Sequence, residues 1–192
     1  MAHIIDKDGL PDHFPTHRHT AKFWEQLGRV VATFGFLEEV LGKAIFACTA
    51  TRPYREDEIE AAYKAWLPKL ERALYDPLGK LITSFVDALR KHPNTTTQNI
   101  DELEETLRAA SKMRNVLCHG SWRSPDKNGA AIPLFVRKER DKDVEVFDTA
   151  IDAAFLLQTQ MHVAELACEI VNTVTHMGWR FPGSVGPGEP IS

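Results

Sequence analysis

The sequence predicts an all-α protein, a four- to five-helix up-and-down bundle with a small β-hairpin insertion near residues 131–147. In long stretches, apolar residues recur at alternating steps of three and four, which is the helical period. Turn-forming residues separate these stretches, and one short β-prone region interrupts them. The 192 residues, 43% of them hydrophobic, are enough for one domain with a substantial apolar core.

The first predicted helix starts at Thr20 and is nearly thirty residues long. Its apolar seam consists of Leu27, Val30, Phe34, Leu37, Leu41, Ala44 and Cys48. Gly28, Gly35 and Gly42 lie seven residues apart on one face, where each costs about 1 kcal/mol relative to alanine. This cost predicts that another backbone approaches closely there. Packing within the chain is favoured over packing against a second copy.

A second helical stretch is predicted to begin near Glu56 and to be interrupted at Pro68. The next helix is expected to have Asp76 as its N-cap and Pro77 as its first residue. A further helix is predicted over residues 99–118, where the side chains of Asn99 and Glu102 can form a capping box.

The remaining elements are the hairpin, with strands expected at 132–137 and 144–147, and a last helix over 148–177. The predicted organisation is therefore an N-terminal arm (1–19), a helical domain (20–180) and a flexible tail (181–192).

Composition excludes several function classes. A formal net charge of −4 disfavours a protein that coats nucleic acid by bulk charge, but it leaves room for a local basic site. Cys48, Cys118 and Cys168 are odd in number and far apart, which disfavours a disulfide scaffold or a zinc knuckle. The sequence lacks an apolar signal segment and a run of 18 apolar residues, so we expect a cytoplasmic protein without a membrane partner. No cofactor is expected.

Residues 114–120, RNVLCHG, carry the most informative chemistry. On a helical wheel, Arg114 falls within the apolar stripe of its helix. Desolvating a fixed charge costs several kcal/mol, so we expect an anion opposite it, either a carboxylate or a phosphate. His119 can exchange a proton near neutral pH. The two side chains differ by about 140° on an ideal helix, so they converge only if the helix end unwinds or a second subunit completes the site.

The pattern R-N-x3-H at residues 114–119, at a helix end in a helical bundle, resembles the HEPN superfamily, whose signature is R-x(4–6)-H. The stretch 34–41, FGFLEEVL, is similar to the first long helix of such proteins, where L-E-x-x-L is common. The resemblance implies a metal-independent endoribonuclease of the toxin or defence type. Such an enzyme acts as a homodimer, in whose cleft the RNA 2′-hydroxyl attacks the adjacent phosphate.

The resemblance also implies roles for individual residues. Arg114 would hold the scissile phosphate, and His119 would transfer a proton or position the 2′-hydroxyl. Asn115 would orient one of these groups, and Glu38 is a candidate acidic partner for Arg114. Just past the motif, Trp122 and Arg123 are candidate RNA-binding residues, since an indole can stack on a base, although Trp122 could equally pack in the core.

Three other interpretations stay open. Arg114 and His119 could be a structural ion pair and a helix-capping histidine. The chain could be a non-catalytic HEPN-like module that binds a nucleotide, RNA or protein, including an antitoxin or regulatory partner. The cluster His13, His17 and His19 could hold a metal, but a loose or docked arm is favoured there.

Overall fold

A computed structural model of the chain describes residues 4–138, 144–186 and 189. Within this part, the elements in chain order are α1 (Ala21–Ala50), a one-turn 3₁₀ helix (Glu56–Glu58), α2 (Ile59–Ala73), α3 (Leu78–Lys91), α4 (Ile100–His119), β1 (Val136–Lys138), β2 (Val144–Val146) and α5 (Ala153–His176). The predicted all-α bundle with a β-hairpin insertion is confirmed.

Helix α1 is the centre of the bundle, because it contacts each of the other four helices and packs most extensively on α5 and α3. Helix α3 in turn packs on α4. The predicted seam of α1 is buried along its whole length. Burial also raises the pKa of the Cys48 thiol to about 12, so this thiol stays protonated at neutral pH.

Several predicted helix boundaries are wrong. Helix α2 runs through Pro68, which is exposed, so water can solvate the carbonyl group that loses its helical donor. Pro77, not Asp76, is the N-cap of α3. Asn99 does precede α4, but its side chain makes no capping hydrogen bond. Helix α5 starts later than predicted, because the side chain of Asp152 caps it by accepting from Phe155 N at 2.7 Å.

The hairpin is shorter than predicted. Strands β1 and β2 are antiparallel, with Val136 opposite Val146 and Lys138 opposite Val144. The sequence predicts a charged turn between them at Lys138–Lys142, and residues 139–142 of it lie outside the described residues. A bridge between Ala131 and Ile151 ties the inserted segment to the start of α5.

The arm and the tail both contribute to the packing. The ring of His19 stacks on Phe23 with ring centroids 4.2 Å apart, and Trp24 Nε1 donates to Thr16 O at 2.9 Å. Phe181, the first residue of the predicted tail, is buried in the core. Residues 1–3, 187, 188 and 190–192 lie outside the described part of the chain.

The glycine stripe does not support three close approaches within the chain. A Cβ on Gly42 would lie 3.3 Å from Ala73 O, but a Cβ on Gly28 or Gly35 would meet nothing within 4 Å. The close approach is therefore limited to Gly42, where the end of α2 reaches α1. His162 is exposed on α5.

Of the residues that the structure describes, none belongs to a helix that is both long and apolar enough to cross a membrane.

We expect Gly28→Ala to stabilise the fold by about 1 kcal/mol, because alanine favours the helix and a Cβ has open space there. Gly120→Ala should destabilise it, because its Cβ would lie 2.5 Å from Val116 O and 2.9 Å from Pro133 Cβ. Thermal unfolding of both variants measures the difference. Destabilisation by Gly28→Ala would contradict the open space at this face.

His92 is a buried histidine at the end of α3, only 4% exposed. Asn94 N donates to its Nδ1 at 3.1 Å, so the neutral ring carries its proton on Nε2, which lies 3.2 Å from Thr51 Oγ1. Burial lowers the pKa of His92 below its ordinary value of 6.5, and the charge of Arg52 adds to this, although the hydrogen bond with Thr51 opposes it.

Because the unfolded chain binds a proton at a higher pH than folded His92 does, stability should fall as pH drops below about 6.5 and level off below the folded pKa. His92→Gln should flatten this part of the pH profile, since the glutamine amide group can both donate and accept a hydrogen bond without titrating. Chemical denaturation between pH 7.5 and 5 (a range set by the ordinary histidine pKa of about 6.5) checks this. The exposed control His162→Gln should keep the wild-type slope, and an unchanged slope in His92→Gln would refute the assignment.

Candidate functional site

A cleft of about 400 Å³ lies between the start of α3 and the second half of α4. We call it the cationic cleft, because five of its ten lining residues are basic and none of the ten is acidic. The lining consists of Pro77, Leu78, Gly79, Lys80, Arg108, Ser111, Lys112, Arg114, Asn115 and Arg137.

The first turn of α3 forms one wall of this cleft. It contains no acidic residue, and no side chain caps it. Lys80 N and Leu81 N both donate to Pro77 O, so the turn closes around Pro77. The positive end of the helix dipole, with the N–H groups of Leu78 and Gly79, is therefore left for an anion to compensate.

Three of the five cations have carboxylate partners that stand outside the lining. Arg108 Nη2 lies 2.6 Å from Glu104 Oε1, and this hydrogen bond is the main reason why the pKa of Glu104 is lowered. Lys80 Nζ lies 3.9 Å from Asp76 Oδ1, a loose pair in which the lysine is exposed and the carboxylate is largely buried. Lys112 makes no hydrogen bond or ion pair with any described residue. The cleft therefore keeps a net positive charge.

Arg114 is the least exposed of these cations for which a value is given, with 29% of its side chain accessible. Its Nη2 lies 3.4 Å from Glu38 Oε1 on α1, and its Nη1 lies 3.4 Å from Asn115 Oδ1. The structure thus places the predicted acidic partner beside Arg114. Glu38 Oε1 is buried but accepts no hydrogen bond, so the contact is electrostatic and leaves the guanidinium donors usable.

His119 does not join this site in a single chain. Helix α4 stays regular to its last residue, and Gly120 N donates to Val116 O at 2.8 Å. The helix end is therefore not unwound, and Arg114 and His119 point about 140° apart. His119 is exposed and has no polar partner among the described residues. It shares a face with Asn115, one turn away, and Asn115 does line the cleft.

Trp122 and Arg123, the predicted RNA-binding residues, do not line the cationic cleft. Trp122 is half-buried against the core, and its ring meets Phe23 edge to face at 4.9 Å. Arg123 is exposed, and its carbonyl oxygen lies 2.7 Å from His19 Nε2. The indole therefore serves packing between the arm and α1.

The three N-terminal histidines do not assemble into a metal centre. Within residues 4–138, 144–186 and 189, no group of three histidine, cysteine or acidic side chains could hold a metal ion. His13 has a positive φ of 61° and is exposed, whereas His19 packs on Phe23. In the described part of the chain, the arm that contains these histidines is docked through the ring of His19 on Phe23.

Sequence reasoning missed most of the cleft. Arg114 and Asn115 were named, but Arg108, Ser111 and Lys112 were not, although they precede Asn115 at helical spacing and form a readable polar stripe. Lys80 and the residues at the start of α3 reach the cleft through the packing of α3 on α4, which no local pattern reveals.

No protein-family model matches the chain. Comparison with curated proteins finds no match, and comparison with solved structures finds none.

Proposed function

We propose that the cationic cleft of this protein binds the phosphate groups of RNA. The observation that carries the proposal is a lining with five basic and no acidic residues, beside an uncapped helix N-terminus. Arginine forks, lysines and helix N-termini are the groups that proteins use to hold phosphates. Because the chain as a whole is negative, this concentration of cations marks a local site, not a coat of bulk charge.

Within the cleft, Arg114 is the central ligand for a phosphate. It is half-buried, so its charge is less screened than that of an exposed lysine. Asn115 holds it from one side and can also donate through its own amide group. Lys112 has no competing polar partner among the described residues. The choice of RNA as ligand rests on the resemblance of residues 114–119 to the HEPN signature.

A second candidate function is a HEPN-like, metal-independent endoribonuclease of the toxin or defence type. The observation that favours it is the exposed His119 one turn beyond Asn115. Because α4 holds His119 away from Arg114, the two can meet only if one copy presents His119 to the cleft of another. Catalysis thus requires a homodimer in which the imidazole takes the proton of the 2′-hydroxyl as its oxygen bonds to phosphorus. The bond from phosphorus to the 5′-oxygen breaks, a cyclic phosphate forms, and the 5′-oxygen leaves with a proton.

Binding to a labelled single-stranded RNA, measured by fluorescence anisotropy, should weaken as salt rises. Arg114→Ala should reduce affinity about 10-fold and lower the salt slope by about 0.7, the value of one phosphate contact on a single strand. Lys112→Ala should act in the same direction. Arg29→Ala, which removes an exposed arginine paired with Glu25 on α1, is the matched control and should keep wild-type affinity.

If Arg114→Ala and Arg29→Ala bind RNA equally well, the cationic cleft is not the binding site. Circular dichroism of each variant separates a lost contact from a lost fold.

Cleavage of RNA in EDTA should be abolished by both Arg114→Ala and His119→Ala, with the exposed His162→Ala as control. Mixing the two inactive variants should restore about a quarter of the wild-type activity, because half of the randomly exchanged dimers contain one intact site of two. If the wild type binds RNA but does not cleave it, the chain is a non-catalytic RNA-binding module. Cleavage that survives in both single variants would reject the HEPN-type mechanism.

A further inference from the structure

A second cavity of about 520 Å³ lies between α1, the end of α2 and α3, and two ion pairs link its lining to that of the cationic cleft. We call it the acidic groove, because three carboxylates stand in a largely apolar lining. The lining consists of Gly35, Glu38, Glu39, Gly42, Lys43, Phe46, Leu70, Ala73, Leu74, Tyr75, Asp76, Leu81 and Pro182. Only one cation, Lys43, is among them, and its Nζ lies 2.7 Å from Glu39.

Two ion pairs connect the groove to the cleft. In the first, Glu38 lines the groove and its partner Arg114 lines the cleft. In the second, Asp76 lines the groove and its partner Lys80 lines the cleft. Both pairs have the same polarity, with the carboxylate on the groove side and the cation on the cleft side. A cation bound in the groove therefore competes with Arg114 and Lys80 for the carboxylates. An anion bound in the cleft competes with those carboxylates for Arg114 and Lys80.

The groove-side groups can accept a further ligand. The Glu38 side chain is 29% accessible, and its Oε1 accepts no hydrogen bond from Arg114, so the carboxylate keeps acceptor capacity for a ligand. Two large hydrophobic residues at the rim of the groove are highly exposed, Leu74 at 83% and Tyr75 at 67%. Phe46 adds a second aromatic ring to the lining. The carboxylates and the exposed hydrophobic residues together fit a guanidinium group with apolar residues beside it.

We propose that the acidic groove binds an arginine-containing peptide segment of a partner protein, with apolar residues beside the arginine, and that this binding strengthens phosphate binding in the cleft. The predicted effect on phosphate binding rests on the proposed function of the cleft. The arginine pairs with Glu38 and Asp76, its apolar neighbours cover Leu74 and Tyr75, and Arg114 and Lys80 are released toward phosphate. By linkage, phosphate in the cleft strengthens peptide binding by the same factor.

The groove is tested first without RNA. The probe is an acetylated, amidated pentapeptide LRFRL, titrated into the full chain by calorimetry. Its control has both arginines replaced by citrulline, which keeps the shape and removes the charge. We expect saturable binding of the arginine peptide alone, weakened about 5-fold or more by Glu38→Gln or Asp76→Asn through loss of a charge-assisted bond. Glu25→Gln, which removes a carboxylate from an exposed pair elsewhere on α1, should bind like wild type.

The coupling is tested with single-stranded RNA. Saturating peptide should raise RNA affinity about 2- to 5-fold, the size expected when a partly exposed ion pair stops competing. Glu38→Gln without peptide should raise it by a similar factor, and Glu25→Gln should not. Peptide should have no further effect on RNA affinity in the double variant Glu38→Gln/Asp76→Asn.

Each outcome decides one part. Absence of peptide binding, or equal binding of the citrulline peptide or of spermidine, overturns the groove as a site for an arginine beside apolar residues. Peptide binding with unchanged RNA affinity, or weaker RNA binding by Glu38→Gln, overturns the coupling. If the wild type binds no RNA at all, the proposed function fails and the coupling fails with it, whereas the peptide titration still decides the groove by itself.

Discussion

The half-buried contact between Arg114 on α4 and Glu38 on α1 is the interaction on which the candidate site depends. A guanidinium at this depth loses hydration and needs a nearby anion, and Glu38 supplies one without a geometrically good hydrogen bond. The Glu38 carboxylate thus compensates the charge of Arg114 but accepts no hydrogen bond from it at Oε1. This incomplete pairing lets Arg114 contribute to the contact between α4 and α1 while guanidinium donors stay available to a further group.

The arrangement also explains how a chain of net charge −4 can have a cationic cleft. The carboxylates that pair with Arg114, Arg108 and Lys80 all lie outside the lining of the cleft. In each ion pair, therefore, only the cation contributes to the lining. Net charge constrains long-range steering, but the separation of charge across individual ion pairs decides what a cavity attracts. A description by total charge alone would miss both the cleft and the groove.

The sequence predicts those parts of the fold that depend on local periodicity. The α1 seam follows from apolar spacing, and the need for an anion beside Arg114 follows from the cost of an unpaired charge on an apolar stripe. That Glu38 is this anion was implied only by the resemblance to the HEPN superfamily. The boundaries at Pro68 and Pro77 were wrong, because solvent exposure and the conformation of Pro77 outweigh residue preference. Lys80 could not be foreseen, since only tertiary packing of α3 on α4 brings it to the cleft.

The regularity of α4 determines what kind of chemistry the site can perform. A rigid helix carries Arg114, Asn115 and His119 as one body, so no small local motion brings the imidazole to the guanidinium. Unwinding the last turn would sacrifice helical hydrogen bonds, including that of Gly120 N to Val116 O. In a single copy, therefore, the side chains of Arg114 and His119 do not face one common site. Cleavage, if this chain performs it, is a property of an assembly in which one copy completes the site of another.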